Sequence, residues 1–266
     1  MNMIILIPLF SPLCIGIIKK VKAIFQNRIG ASIFQPYRDL WKLFHKDEVI
    51  SRDASWIFKL APFIIFAVTL VAGANLNGDI LLIIYTLAIG TFFLALAGMD
   101  TGSAFGGFGS SREMTVSALA EGGFIFSLLT ISNINLASHG QSFLPGILAF
   151  AGFFIVLLAE TARFPFDNPA THLELTMIHE SMILEYSGKR LALMEWASFN
   201  KFLIFCFLGA NLFFHFGFAF IPIIIFAFCF AVGFIESTMA KFRFFRLPDL
   251  LIISFIFNVV AIGLMF

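Results

Sequence analysis

The stretch ILLIIYTLAIGTFFLALAG (residues 80–98) runs for 19 residues without a charged side chain. A helix of about 20 apolar residues crosses the hydrocarbon core of a bilayer, so this stretch is predicted to be a membrane helix. The whole chain shares this character, because 60% of its 266 residues are hydrophobic, 38 are Phe and only 12% are charged. Soluble domains carry about 25% charged residues, so the composition excludes an ordinary soluble protein. We predict an all-α fold, a polytopic transmembrane helical bundle.

Similar apolar stretches recur along the chain, which predicts about eight membrane helices and one transmembrane domain over residues 1–266. Pro8 and Pro12 fall inside the first helix, so we expect it to be kinked or tilted. A short break near residues 215–217 separates the sixth helix from the seventh. The predicted spans are residues 2–18, 57–75, 80–98, 114–134, 143–161, 197–215, 217–236 and 248–265.

The positive charges are distributed asymmetrically across this topology. Nine of the 17 Lys and Arg residues lie between Lys19 and Lys59, one is Arg112, and the others lie within residues 163–201 and 241–246. Alternate loops therefore hold all of them and the opposite loops hold none. Because cytoplasmic loops are enriched in Lys and Arg, this side is predicted to be cytoplasmic and both termini periplasmic. No basic tail or patch indicates a nucleic-acid partner.

The first cytoplasmic loop (residues 19–56) contains SIFQPYRDLWKLFHK, residues 32–46. Its apolar side chains recur at helical spacing and its charged side chains occupy the other face, which predicts an amphipathic helix. The helix either lies on the membrane surface or packs on the protein's own cytoplasmic face. The apolar face comprises Phe34, Tyr37, Leu40, Trp41 and Phe44.

The loop before the fourth span is rich in glycine. Its sequence, MDTGSAFGGFGSSREM (residues 99–114), lacks the GK[ST] signature of a phosphate-binding loop. We expect the glycines to give a flexible, close-packed loop. Ser110 and Glu113 fit a capping box that would begin the fourth span.

A charged segment, residues 162–190, interrupts the apolar pattern between the fifth and sixth spans. Asp167, Asn168 and Pro169 are typical of a helix start, and Ser187–Gly188 of a helix end, which predicts a cytoplasmic helix of about five turns. His179 and Glu180 begin a possible zinc motif, but the fifth position is Ile183 rather than His. No metal is therefore expected, and both His172 and His179 are expected to form hydrogen bonds at an interface.

Carboxylates within apolar runs are the strongest functional signal. A buried charge in a membrane is costly, so such acids face a bundle interior or a water-filled cavity. They indicate a hydrated proton path; the alternative is a static buried acid or ion pair. The three cysteines, Cys14, Cys206 and Cys229, are predicted to be buried apolar residues, too few to bind a four-cysteine iron–sulfur cluster. The acids in or at the ends of spans are Glu121, Glu160, Glu195 and Glu236.

The charged segment also carries the pattern AETxRxPFD…EL…EYSG. This pattern resembles the complex I membrane subunit that houses the quinone channel, and its homologues in membrane-bound nickel–iron hydrogenases. NRIGASIFQPYRDLWKLF (residues 27–44) is similar to the family's first-loop motif. Where the quinone-reducing branch has an acidic run, this chain has NPATHL (residues 168–173), and its segments 171–188 and 235–251 look like the membrane anchor of formate hydrogenlyase. The matching residues are Glu160, Thr161, Arg163, Pro165, Phe166, Asp167, Glu174, Leu175, Glu185, Tyr186, Ser187 and Gly188.

The resemblance implies a non-catalytic subunit of a bacterial inner-membrane hydrogenase complex. It would anchor a nickel–iron large subunit and an iron–sulfur small subunit on the cytoplasmic side, next to an antiporter-like membrane subunit in the lipid bilayer. The nickel–iron centre and iron–sulfur clusters would lie in the partners, and this chain would bind none. The resemblance assigns a proton path to Glu121, Glu160, Asp167, Glu174 and Glu185. Burial alone adds Glu195 and Glu236. Charge modulation or docking is assigned to Arg112, Arg163, His172, His179 and Glu180.

Two other functions remain open at this point. One is the quinone-site subunit of an NADH:quinone oxidoreductase. The other is a stand-alone ion transporter, which usually shows paired interrupted helices in two repeated halves. The sequence has no convincing internal repeat, which argues against the transporter.

Overall fold

The computed structural model describes residues 3–51, 54–76, 78–136, 143–169, 176–213 and 220–264, and this part of the chain forms a helical bundle without β-strands. Eight of its helices are long and apolar enough to cross a membrane, judged by length and composition. The predicted all-α, multi-pass bundle is confirmed. The eight long helices are α1 (Met3–Phe25), α3 (Trp56–Ala74), α4 (Ile80–Asp100), α5 (Ala104–Leu136), α6 (Phe143–Glu160), α8 (Gly188–Phe213), α9 (Ile221–Thr238) and α10 (Leu247–Gly263); the short ones are α2 (Gln35–Phe44) and α7 (His179–Ile183).

Helix α5 begins ten residues before the predicted fourth span, so the capping-box prediction is wrong. The Ser103 hydroxyl accepts a hydrogen bond from Gly106 N at 3.1 Å, close to the true start of the helix. Ser110 lies inside α5, where its hydroxyl contacts the carbonyl oxygens of Gly106 and Ala95 at 2.8 and 2.9 Å. A Cβ on Gly109 would lie 2.0 Å from Ser181 Oγ, so glycine at this position lets α5 pack closely against α7. The close packing was predicted, but not the helix.

The charged segment does not form the predicted five-turn helix. Among its described residues, only His179–Ile183 are α-helical before α8 begins at Gly188. Asp167 does not start a helix at Pro169, because its carboxylate accepts hydrogen bonds from Asn168 N, Ile178 N and His179 N at 2.9, 3.1 and 2.9 Å. It therefore caps α7 from twelve residues away. The predicted site residues His172 and Glu174 lie outside the described residues.

Pro12 and Pro62 each interrupt the backbone hydrogen bonding of their helix, α1 and α3, and two side chains at the start of α8 supply the missing donors, Tyr186 just before the helix and Trp196 within it. Proline has no N–H, so Pro62 leaves the Phe58 carbonyl without its helical donor, and Pro12 does the same to the Pro8 carbonyl. The Tyr186 hydroxyl donates to Phe58 O, and Trp196 Nε1 donates to Pro8 O, both at 2.9 Å. This segment is therefore fastened to both helices through carbonyls that prolines expose.

The first loop and the charged segment join in a loop clasp, residues 46–49 and 187–190. The Ser187 hydroxyl accepts from Val49 N at 2.8 Å and donates to Val49 O at 2.9 Å. Arg190 Nη1 lies 2.6 Å from Glu48 Oε2. Gly188 has φ +56°, and a Cβ there would lie 2.9 Å from the carbonyl oxygens of Lys46 and Asp47. The two loops therefore form one surface.

The predicted amphipathic helix of the first loop is confirmed as α2. Leu40 is buried, and the Phe44 ring packs edge-on against Trp196 with 6.0 Å between centroids. The Tyr37 hydroxyl donates to the Leu9 carbonyl of α1. Phe34 and Trp41 remain exposed. Self-packing thus accounts for part of the apolar face, and the exposed part is free to meet lipid or a partner.

Candidate functional site

A cavity of about 550 Å³ lies among the helices on the side of the loop clasp. Its walls come from α1, α3, α4, α5, α8 and α9, the ends of α6 and α7 also line it, and it opens to the surface beside the exposed residues Arg28 and Ile29. Apolar side chains such as Ile15, Val68 and Phe199 alternate there with charged ones. Charges inside an apolar bundle are stable only when paired or hydrated, so the pairing of these groups defines the site. The ionisable lining residues are Glu113, Glu160, Asp167, Glu180, Glu195, Glu236, Lys19, Lys22, Arg28, Arg163, Lys201 and His179.

Glu236, at the end of α9, is neutralised by two cations from different elements. Its Oε1 lies 3.0 Å from Arg163 Nη1, and its Oε2 lies 3.3 Å from Lys22 Nζ. The Arg163 guanidinium also lies over the Phe202 ring at 5.4 Å, a favourable cation–π distance. This cluster ties α1, α8 and α9 to the residues that follow α6.

Glu160, the last residue of α6, pairs with Lys201 in the middle of α8. Lys201 Nζ lies 2.7 Å from Glu160 Oε2 and 3.4 Å from Thr91 Oγ1 on α4. The other carboxylate oxygen, Glu160 Oε1, is buried and has no hydrogen-bond partner. Glu113 on α5 lines the same cavity and is buried. The cluster therefore has more acid than base.

Asp167 and the start of α7 form the third charged group. Lys241 Nζ lies 2.5 Å from Asp167 Oδ1. Burial lowers the pKa of His179 to about 4, and the positive charges of Lys201 and Arg163 act in the same direction against Asp167. Burial raises the pKa of Glu180 to about 7, and the negative charges of Glu195 and Asp167 add to the effect. His179 is thus neutral near pH 7, where Glu180 exchanges its proton.

The structure brings most predicted site residues to this cavity, but not all of them. Glu121 lies about two turns beyond Glu113 on α5, half-buried and outside the cavity lining, and Glu185 is exposed on the surface. Arg112 Nη1 donates to the Met177 carbonyl at 3.0 Å, so it supports the start of α7. The predicted residues on the cavity wall are Glu160, Asp167, Glu195, Glu236, Arg163, His179 and Glu180.

The sequence interpretation missed several cavity residues. The sequence pattern groups Lys201 with the loop cations, although it interrupts the apolar run FNKFLIFCF, where a cation is as costly as an acid in a span. The same pattern places Glu113 in a helix cap, although it lies eight residues before Glu121 on the same helix. Lys22 on the cavity wall and Lys241, the ion-pair partner of Asp167, do not stand out in the sequence, because each is one of several basic residues in a loop-side cluster.

The fold and the cavity define a multi-pass membrane protein with ionisable groups enclosed in its bundle. The chain belongs to the NADH dehydrogenase family, whose family model matches residues 1–266. The predicted family resemblance is confirmed.

Three relatives show how the chain is placed within that family. It is 34% identical to hydrogenase-4 component C of Escherichia coli (strain K12) over 235 residues, which are 80% of this chain and 74% of the relative. It is 31% identical to formate hydrogenlyase subunit 4 of the same organism, over 73% of this chain and 70% of the relative. An NADH-quinone oxidoreductase subunit of Paraburkholderia xenovorans (strain LB400) is 32% identical, over 70% of this chain and 62% of the relative. These relatives are components of larger assemblies, so partner subunits are implied.

A solved structure shares the fold over nearly the whole chain. It is the membrane-bound sulfane sulfur reductase, an archaeal respiratory membrane complex, with a TM-score of 0.82 over 97% of this chain and 96% of that chain. The sequence identity is 22%, so the likeness concerns the fold alone.

Proposed function

We propose that this chain is the membrane subunit of a formate hydrogenlyase-type nickel–iron hydrogenase complex in the bacterial inner membrane. It anchors the soluble hydrogenase subunits and holds the start of a proton or ion path coupled to hydrogen-linked redox chemistry. Both termini face the periplasm. The relatives named hydrogenase-4 component C and formate hydrogenlyase subunit 4 support this assignment.

The observation that carries the proposal is the set of acids that lines one cavity on the side of the loop clasp. Six carboxyl groups line one cavity, and ion pairs with Arg163, Lys22, Lys201 and Lys241 occupy only some of them. Unpaired carboxyl groups in an apolar bundle hold protons readily and can pass them on. An anchor alone would not need them, because apolar packing holds helices together without the cost of burying charge.

The loop clasp supplies the proposed docking surface. Val49, Glu185 and Lys189 are exposed on or beside it, and its backbone is fixed by the Ser187 and Arg190 contacts. A rigid surface with exposed charges of both signs suits a lasting contact with soluble partners, because little ordering entropy is lost on docking. We place the nickel–iron large subunit and the iron–sulfur small subunit there, with their metal centres, and an antiporter-like subunit beside the bundle.

Isolation of the chain in mild detergent, followed by identification of its partners, tests the proposal. The expected result is co-purification of a nickel–iron large subunit and an iron–sulfur small subunit, together with hydrogen-linked activity. Arg190→Ala should weaken recovery of the soluble subunits, because it removes the 2.6 Å contact to Glu48. Recovery of the chain alone with transport activity would refute the assignment.

A second candidate is the quinone-site subunit of an NADH:quinone oxidoreductase. The cavity volume of about 550 Å³ and its partly apolar wall favour it, because both suit an amphiphilic ligand. Quinone binding by the isolated complex, with an NADH-oxidising partner in place of a hydrogenase subunit, would select this candidate.

A further inference from the structure

We propose that Lys201 is a shared counter-ion that determines which of three acids, Glu160, Glu113 or Glu121, gives up its proton. Lys201 acts through these acids, so it is a positioning residue. Its consequence for hydrogen-linked turnover rests on the proposed function, whereas the arrangement of charges does not. The three acids come from two helices, α5 and α6, and Lys201 comes from a third, α8.

The backbone of α8 directs Lys201 toward the acids. Asn200, the preceding residue, is fully buried. The Ser11 hydroxyl donates to Asn200 Oδ1 at 2.7 Å, and Asn200 Nδ2 donates to Thr69 Oγ1 at 3.1 Å. These bonds join α8 to α1 and α3 and fix its rotation about its own axis. Lys201 therefore faces the cavity wall formed by α4, α5 and α6, where Thr91 contacts its ammonium group.

Lys201 is paired with one acid, and two more acids follow each other along α5 on the same side of the bundle. Its ammonium group contacts Glu160 directly, Glu113 lines the same cavity, and Glu121 lies about two turns beyond Glu113 on α5. The side chains of Lys201 and Glu160 are 16% and 8% exposed. The free Glu160 Oε1 has no donor, although an ionised carboxylate usually accepts hydrogen bonds on both oxygens. Glu160 is therefore bound through one carboxylate oxygen only. It can lose its contact with Lys201 and take up a proton instead.

Three other cations in or beside the cavity are paired with other acids. Arg163 and Lys22 contact Glu236, and Lys241 contacts Asp167. Among the described residues, Lys201 is the cation whose ammonium group contacts one of the three acids.

One positive charge can neutralise only one carboxylate, so the acids that remain buried without a cation hold their protons. If the ammonium group of Lys201 turns from Glu160 toward Glu113, Glu113 releases a proton and Glu160 takes one up. The total charge of the cluster stays constant, and no electron moves. This exchange carries a proton between α5 and α6 without leaving an unpaired charge in the apolar bundle.

Infrared difference spectroscopy of the purified complex in H₂O and D₂O tests the exchange, because the C=O stretch of a carboxylic acid reports its protonation. Lys201→Met should add the signal of one protonated carboxyl group, since the neutralised acid takes up a proton. Glu160→Gln should lose the signal of one, because Lys201 then pairs with Glu113. The double variant, Lys201→Met with Glu160→Gln, should show the same signal of protonated carboxyl groups as the wild type.

Matched controls separate this result from a general effect of removing a lysine. Lys201→Arg keeps the charge and should leave the carboxyl signal unchanged. Lys22→Met removes another cation of the same cavity, but Arg163 still neutralises Glu236 at 3.0 Å, so no protonated carboxyl group should be gained. An unchanged carboxyl signal in Glu160→Gln would overturn the proposal even if Lys201→Met failed to assemble.

The functional measurement is hydrogen-linked turnover of the assembled complex as a function of pH. Lys201→Met should lower turnover by about 10²-fold or more, the size expected when proton transfer by a positioned group is lost, and Lys201→Arg should retain most of the wild-type turnover. A wild-type pH profile in an assembled Lys201→Met complex would overturn the role of Lys201. If the carboxyl signals change as expected but the wild type has no hydrogen-linked activity, the proposed function fails and the shared counter-ion stands.

Discussion

Tyr186 donates its hydroxyl hydrogen to the carbonyl oxygen of Phe58 at 2.9 Å, while the two rings stack with 3.9 Å between their centroids. The bond exists because Pro62, four residues after Phe58, provides no N–H to that carbonyl. Burial raises the pKa of Tyr186, so the hydroxyl keeps the proton that it donates. A tyrosine of the charged segment thus completes the hydrogen bonding of a membrane helix.

Tyr186→Phe should lower the free energy of unfolding by about 1–2 kcal/mol, because it leaves a buried carbonyl unsatisfied while the ring contact remains. Thermal denaturation of the detergent-solubilised complex measures this loss. The informative control is the same substitution in a Pro62→Ala background, where the new alanine could supply the missing N–H, so the loss should shrink. Equal losses in both backgrounds would contradict the role assigned to the proline.

Gly188→Ala should open the loop clasp. The substitution forces a side chain into φ +56° and places its Cβ 2.9 Å from two carbonyl oxygens of residues 46–47, at a cost of about 1–3 kcal/mol. We expect faster proteolysis within residues 46–49 and weaker recovery of soluble partners. Gly107→Ala is the matched control, because its Cβ would meet nothing within 4 Å and Ala favours a helix. Similar proteolysis of both variants would argue against the clasp.

Glu180→Gln should change how stability depends on pH. Burial raises the pKa of Glu180 from 4.5 to about 7, so the folded state binds this proton more tightly than the unfolded chain does. The stabilisation is fully present below about pH 4.5 and is lost as the pH rises to about 7, a change of at most about 3 kcal/mol. The melting temperature of the variant should therefore rise relative to wild type between about pH 5 and about pH 8.

The control for this pH series is Glu185→Gln, which removes an exposed carboxylate five residues away. An exposed carboxyl group stays hydrated in the folded and unfolded states, so its removal should produce no comparable trend. The same trend in both variants would mean that burial of Glu180 is not the cause.

Glu121→Gln should reduce hydrogen-linked turnover or ion coupling by about 10²-fold or more while the complex still assembles. The reason is that Glu121 continues the line of acids on α5 beyond Glu113, and an amide cannot carry the proton. Asp79→Asn is the matched control: its side chain accepts a hydrogen bond from Leu81 N at the start of α4, which an amide oxygen also accepts. Unchanged turnover in Glu121→Gln would remove this acid from the path.

The spans could be predicted because the length of an apolar run is a local property of the sequence. The predicted 80–98 and observed Ile80–Asp100 agree closely. The boundaries of α5 and α8 could not be predicted in the same way, because contacts with distant parts of the chain determine them. Glycine disfavours helix, but α5 is helical at Gly109, where it packs so closely on α7 that a Cβ would lie 2.0 Å from Ser181 Oγ. The polar first turn of α8 is helical where Gly188 and Arg190 join the loop clasp.

The acids of the site were predictable, but their partners were not. An acid in an apolar run stands out alone, as Glu160 and Glu236 do, whereas pairing joins residues far apart in sequence. Lys22 and Glu236 are 214 positions apart, and nothing local connects them. The five-turn helix predicted in the charged segment is wrong for a related reason. Asp167 has the local signature of a helix start, but its carboxylate caps a helix twelve residues further on.

The two proline gaps have a mechanical consequence. Tyr186 and Trp196 lie on one stretch of chain and grip two different walls of the cavity, so this stretch cannot tilt without breaking hydrogen bonds inside α1 and α3. These two hydrogen bonds connect the surface formed by the loops directly to two helices of the cavity wall. A partner that binds the loop clasp would therefore also constrain the positions of the helices that line the cavity.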